Sequence, residues 1–170
     1  MNFHQSRKKM SKKNDEWYTI PSSWDKVLEY IDKEKIMFEP FYGGGHTLDY
    51  FKNKGYKIVG DKSIDFFDDK CIQYLKLCDV VVTNPPFSSK YKIIKRLVDN
   101  KKPFILILPL HCINTISFRK SFNDDLKDVT VMIPKGRLQY IQNGELKKSP
   151  SFESCFVGWK INTSKHLIFL

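Results

Sequence analysis

From Lys35 to Leu108 the chain switches repeatedly between short apolar runs and longer stretches with helical spacing. Lys35–Glu39, Tyr56–Gly60, Asp79–Thr83 and Pro103–Leu108 read as strands. Between them, Thr47–Lys54 (ended by Gly55), Asp69–Leu77 and Ser89–Asn100 read as helices. This alternation predicts a parallel sheet with helices on both faces, because parallel neighbours need a crossover and a helix supplies it. The valines of Asp79–Thr83 suit a buried central strand. Ahead of this core, Pro21–Asp32 predicts a helix with Pro21 at its start and an apolar stripe of Trp24, Val27, Leu28 and Ile31. Behind it come a helix near Ser117–Phe122 and strands at Asp128–Pro134, Gly136–Gln142 and Ser154–Ile161, the last closing the chain. Few helices separate these late strands, which predicts an antiparallel edge. Ligands of such sheets bind beyond the carboxyl ends of the strands, where the strand order reverses.

The chain has 170 residues, 41% of them hydrophobic, which supports one domain with its own core and excludes a disordered or fibrous protein. No apolar run is long enough to span a bilayer. Met1–Lys13 is basic and lacks the apolar centre of a signal peptide, so a cytoplasmic or nuclear location, not a secreted one, is expected. Residues 1–13 read as a flexible basic arm, either a tether to nucleic-acid phosphate or a solvated tail. Residues 14–170 read as a single domain with no room for a separate target-recognition domain.

Cys71, Cys78, Cys112 and Cys155 fit neither a metal pattern nor a disulfide framework, and read as reduced thiols in or near the core. The four histidines are scattered, so no metal site is expected. The net charge of +10 suits a polyanionic partner, although an AT-rich genome favouring lysine gives the same excess.

Four segments carry chemistry. Glu39-Pro40-Phe41-Tyr42-Gly43-Gly44-Gly45 joins a strand to a helix, and glycine lets backbone approach a ligand closely. It lacks the dinucleotide glycine pattern. A turn would use the same glycines, but Glu39 suits a cofactor with a cationic amino-acid tail. Asp61 ends the second strand, where an acid accepts from ribose hydroxyls. Asp65 and Phe66 can accept from and pack on an adenine. Thr83-Asn84-Pro85-Pro86-Phe87 follows the valine strand directly. Its prolines fix the backbone and remove two donors. A substrate amino group held by Asn84 Oδ1 and the Pro85 carbonyl is pushed toward tetrahedral geometry, and Phe87 offers a stacking face for a flipped base.

Asn84-Pro85-Pro86-Phe87 resembles the catalytic motif of amino-methyltransferases, an Asp, Asn or Ser followed by two prolines and an aromatic residue. Asn14-Asp15-Glu16-Trp17-Tyr18-Thr19 resembles the segment that folds over the cofactor's methionine end in phage-type DNA N6-adenine methyltransferases. That family has proline after the threonine, whereas here Ile20 intervenes before Pro21. Gly136-Arg137-Leu138-Gln139-Tyr140 and Ser149-Pro150-Ser151-Phe152-Glu153-Ser154 are similar to the end of the same enzymes. The resemblance runs from Asn14 to about Ile161.

The resemblance implies a Rossmann-like class I methyltransferase, with a mostly parallel seven-stranded sheet, an antiparallel edge strand and helices on both faces. S-adenosylmethionine is the implied cofactor. It would be bound by Trp17, Tyr18, Thr19, Glu39, Pro40, Phe41, Gly43, Gly45, Asp61, Asp65, Phe66 and Asn84. Asn84, Pro85, Pro86 and Phe87 are the implied catalytic residues, and DNA, duplex with a flipped adenine or single-stranded, is the implied substrate. Arg137 reads either as a contact to phosphate or base edge, which the place of the tail favours, or as a surface arginine flanking a hairpin. Lys147 and Lys148 suit phosphate. Target reading falls to short loops, with a helper subunit or homodimer as a further partner. Other acceptors for the same motif are RNA adenine, guanine N2 and a glutamine amide. A catalytically silent nucleic-acid-binding homologue is the reading from outside the enzymes. The lysine-rich composition points to a virus or phage.

Overall fold

A computed structural model describes residues 17–142, 144–147 and 151–170. The arm 1–13, Asn14–Glu16, Lys148 and Ser149-Pro150 lie outside the described residues. In chain order, β1 (Tyr18–Thr19) precedes a 3-10 helix (Pro21–Tyr30), β2 (Ile36–Phe38), α1 (His46–Asn53) and β3 (Lys57–Val59). Next come α2 (Cys71–Leu77), β4 (Val80–Thr83), a 3-10 turn (Phe87–Ser89), α3 (Lys90–Asp99) and β5 (Phe104–Pro109). A second 3-10 turn (Leu110–Asn114) leads to α4 (Ile116–Ser121), and β6 (Val129–Ile133) follows. The chain then forms β7 (Tyr140–Gln142), β8 (Glu145–Lys147), β9 (Ser154–Trp159) and β10 (Leu167–Phe169).

Seven strands form the main sheet in the order β10-β6-β9-β5-β4-β2-β3. The sheet is mostly parallel, as the helix and strand alternation requires. β5 is buried along its whole length and shows how the sheet divides the core. Phe104, Leu106 and Leu108 face one side, with Leu75, Ile93, Leu97 and Phe118 from α2, α3 and α4. Ile105 and Ile107 face the other, with Trp24, Val27, Leu48 and Phe51 from the first 3-10 helix and α1. That split is the period of two of a strand buried on both faces. All four cysteines are free and buried in the first cluster. Burial pushes the Cys78 and Cys112 thiols up to about 11 and Cys155 to about 12.

Three expectations are corrected. The antiparallel strand, β9, lies inside the sheet between β5 and β6 rather than at an edge. β6 reaches β9 through the β7–β8 hairpin, without the crossover helix that parallel placement needs. The six residues of β9 pair with all of β5 and four of them pair with β6, so the interior position brings two ladders instead of one. The chain also does not close on β9, because β10 follows and pairs parallel with β6. Finally, the helix at Pro21 is wound as 3-10, so Trp24 and Val27, three residues apart, stack on one edge facing the core.

A second, three-stranded sheet runs β1-β7-β8. Tyr18 pairs with Ile141 and Thr19 with Tyr140. Among the described residues no helix is long and apolar enough to cross a membrane.

Candidate functional site

The C-terminal ends of β2 and β4 are adjacent in the sheet, and their loops leave in opposite directions, to β3 on one side and β5 on the other. A cleft of about 300 Å³ opens there, walled by Pro40 and Phe41 after β2, Asp61 and Ile64 after β3, and Asn84 to Phe87 after β4. Trp17 and Tyr18 close it from the small sheet. A narrower cavity of about 30 Å³ shares Trp17, Tyr18, Gly43 and Asn84 and continues to Thr19, Glu39 and Thr47.

Glu39 is 2% exposed. Its Oε1 accepts from the Phe41 N–H at 2.9 Å and from the Thr83 hydroxyl. Burial raises its pKa to about 8, against the lowering effect of those two donors. The folded state therefore holds this proton where the unfolded chain has lost it. The stability so gained is fully present below the ordinary value of 4.5 and is lost as pH rises toward 8. The slope is about 1.4 kcal/mol per pH unit. Melting measured from pH 5 to 8 is expected to show this loss, and Glu39→Gln is expected to flatten it. An unchanged slope in the variant assigns the proton elsewhere.

Gly43 adopts φ +52°, and a Cβ there would lie 2.8 Å from the Tyr18 ring. Gly60 is needed for a different reason, since a Cβ would meet the Glu39 carbonyl at 2.6 Å where β2 and β3 converge. Gly43→Ala is expected to displace Tyr18 and weaken cofactor binding by about tenfold or more, from backbone strain of roughly 1 kcal/mol plus the clash. Equilibrium binding of the cofactor measures it, and an unchanged affinity removes Tyr18 from the site.

Asn84 is half-buried at the end of β4. Its Nδ2 donates to the Trp17 carbonyl at 2.6 Å, which sets the orientation of the amide. The same bond leaves Oδ1 buried without a partner. The Thr19 hydroxyl is likewise buried and unpartnered. A buried polar atom without a partner costs about 1–3 kcal/mol, so two beside one cleft call for a ligand's polar groups. Phe87 stands edge-on to Phe152, with ring centroids 5.5 Å apart.

The other sequence-predicted residues divide. Asp61 lines the cleft, its carboxyl held below the usual range by the Ser63 hydroxyl and N–H. Gly45 has left-handed backbone geometry and caps α1. Asp65 and Phe66 do not line the cleft. Asp65 turns outward to accept from the Phe67 N–H at 2.9 Å. Phe66 is 2% exposed and packs under Phe41, at 5.1 Å between centroids. Ile64 forms the wall in their place.

Arg137 is ion-paired with Glu153, its Nε 3.0 Å from Oε1. The guanidinium holds the Glu153 carboxyl below its usual range. Lys147 pairs with Glu145 at 2.7 Å in the β7–β8 hairpin. Thr83, Tyr42 and Phe152 were not singled out from the sequence as site residues. A threonine closing a run of valines was the one signal for Thr83.

The two polar cavity walls suit a ligand with an ammonium-bearing tail and a ribose. Glu39 and Thr19 face the narrow end, and Asp61 faces the wide one.

Comparison with known proteins agrees with this architecture. Over 97% of its length the chain superposes, with a TM-score of 0.54 and 11% identity, on 49% of a protein described as a modification subunit of a type I restriction enzyme from Vibrio vulnificus. A protein described as a class I S-adenosylmethionine-dependent methyltransferase from Listeria monocytogenes superposes with a TM-score of 0.50 and 13% identity, over 89% of this chain and 64% of its own. These likenesses show the fold. In sequence the chain is 34% identical to the type II methyltransferase M.EcoRI of Escherichia coli over 46% of its length. It is 39% identical to the type II methyltransferase M.MgeORF184P of Mycoplasma genitalium over 35%. The chain spans only 26% and 20% of those two curated relatives. The family model described as adenine-specific methyltransferase EcoRI matches residues 47–143, more than half of the chain, and the chain therefore belongs to that methyltransferase family.

Proposed function

We propose that this chain transfers a methyl group from S-adenosylmethionine to the N6 amino group of adenine in DNA. The observation that carries the proposal is the buried, unpartnered Asn84 Oδ1, its amide locked by the Trp17 carbonyl, at the mouth of the cleft. An exocyclic amino group is a donor of the kind that this acceptor lacks.

The cofactor is S-adenosylmethionine. Glu39 and Thr19, with Tyr18 and the backbone at Gly43, hold its amino-acid end, and Asp61 holds its ribose. Bound there, it would supply an electrophilic methyl group on a sulfonium, and transfer of that methyl would leave a neutral thioether. The remaining work falls to the protein. Phe87 stacks the flipped adenine. Asn84 Oδ1 and the Pro85 carbonyl would accept hydrogen bonds from the two N6–H groups, so the nitrogen lone pair would face the methyl group; the N–C bond forms as the S–C bond breaks, and the one proton that N6 loses passes to water. Positioning supplies most of the rate, and no strong base is required. Residues 14–170 act as one catalytic unit, and target reading falls to loops after β4 and β5 and to the β7–β8 hairpin. In that hairpin Lys147 is a phosphate contact once released from Glu145.

The test is incubation with tritiated S-adenosylmethionine and, separately, unmethylated duplex DNA, single-stranded DNA, RNA and protein extract. Label recovered as N6-methyladenine from DNA is the expected result. Label in RNA or protein instead moves the substrate. No label together with no cofactor binding identifies a silent homologue.

A further inference from the structure

Phe152 is not part of the cleft wall, yet it touches what the proposed chemistry depends on. Its ring meets Trp17 at 5.1 Å and 84°, Phe87 at 5.5 Å and 88°, and Tyr140 at 5.7 Å and 48°. Trp17 also packs edge-on against Tyr140 at 5.8 Å. Two of these partners bear on the two ends of the Asn84–Phe87 turn. The Trp17 carbonyl fixes the Asn84 amide, and Phe87 is the proposed stacking face for the base. Edge-to-face contacts of this kind constrain ring orientation as well as separation.

The ring is itself held firmly. One residue on, the Glu153 carbonyl accepts from the Leu110 N–H at 2.8 Å, and its carboxylate is paired with Arg137. Two residues on, Ser154 opens β9, and its hydroxyl accepts from the buried Tyr140 hydroxyl at 2.6 Å. Phe152 thus precedes the first residues of an interior strand of the main sheet, while Tyr140 belongs to the small sheet whose first strand begins one residue after Trp17.

We propose that Phe152 is a positioning residue that sets both the Asn84 amide and the Phe87 ring, acting through Trp17 on the first and directly on the second. Its catalytic consequence rests on the function proposed above, but its effect on Asn84 does not. Arg137, read from the sequence as a DNA contact, serves the same segment by clamping Glu153.

Phe152→Leu keeps an apolar side chain and removes the ring edges. Phe152→Met is the second variant should the first not fold, as judged by thermal melting. In the ligand-free protein, the Asn84 side-chain amide is followed by NMR and assigned by its disappearance in Asn84→Asp. Its hydrogen exchange is expected to accelerate about tenfold in the variant, as the bond to Trp17 loosens. With 2-aminopurine at the target position of a duplex, emission is expected to rise, because the flipped base no longer stacks firmly. The single-turnover transfer rate is expected to fall by about 10- to 100-fold. Cofactor affinity is expected to fall by less than the transfer rate, since Phe152 reaches the cleft through Trp17 and Phe87 and the amino-acid end is held by Glu39 and Thr19. A role in packing alone would lower the melting temperature and leave exchange, emission and rate unmoved, which overturns the proposal. Absence of transfer by the wild-type protein would overturn the proposed function instead, while the amide exchange still decides whether Phe152 holds Asn84.

Discussion

Asn84→Ala is expected to lower methyl transfer by about 10²- to 10³-fold, the loss seen when one preorganised polar contact to a reacting centre is removed. The substitution deletes two things at once. One is Oδ1, buried without a partner in the free protein. The other is Nδ2, which ties the end of β4 to the Trp17 carbonyl. Cofactor affinity should fall less than the rate, because Glu39, Thr19 and Asp61 keep their places although Asn84 also lines the cleft. The loss should therefore fall on kcat, as befits a contact that matters most in the transition state. Asn84→Asp separates the two effects. It keeps an acceptor but sets a carboxylate against the Trp17 carbonyl, so it should lie between wild type and alanine. Single-turnover transfer with saturating cofactor is the measurement. A rate for Asn84→Ala within tenfold of wild type would falsify the role given to the amide.

Trp24→Ala is expected to have the largest effect on stability. Trp24 is fully buried and packs between Phe51 of α1 and Phe156 of β9, with centroids at 5.6 and 5.8 Å. It belongs to the first 3-10 helix, whose only other fully buried apolar side chain is Val27. That segment therefore has little else to hold it on the sheet. Removing an indole from such a site costs about 3–5 kcal/mol. For a chain of this size that lowers the melting temperature by roughly 6–20 °C. Denaturation by heat or urea checks it, and a shift of under a few degrees would mean that the helix docks mainly through its backbone. Trp24→Phe tests a finer point. The indole N–H is buried without a partner, so the smaller ring loses volume but also an unsatisfied donor. Its cost should be well below that of alanine.

What the sequence determined by itself is what local chemistry dictates. Apolar runs of strand length and helical spacing are properties of neighbouring residues, and every predicted strand and helix from Lys35 to Leu108 appears within a few residues of its place. The order of glycine loop and Asn84-Pro85-Pro86-Phe87 was legible for the same reason. A parallel sheet with its ligand end at the strand termini then brings both to one cleft.

The tertiary structure decided everything that joins residues remote in the chain. No local signal pairs Thr19 with Tyr140, or inserts β9 between β5 and β6. β10 is three residues long, too short to announce itself, and exists through its pairing with β6. Asp65 and Phe66 look like cofactor contacts in sequence, but Phe41 needed a partner beneath it and Phe66 supplies that packing. Arg137 reads in sequence as a nucleic-acid contact or a surface arginine flanking a hairpin, and the fold places Glu153 to pair with it. Glu39 was legible as an acid beside glycines, but its raised pKa follows from burial, which outweighs the opposing hydrogen bond from Thr83, a residue 44 positions away. Periodicity and turn chemistry are set by near neighbours, whereas burial, pairing and charge compensation depend on which distant residues the fold brings together.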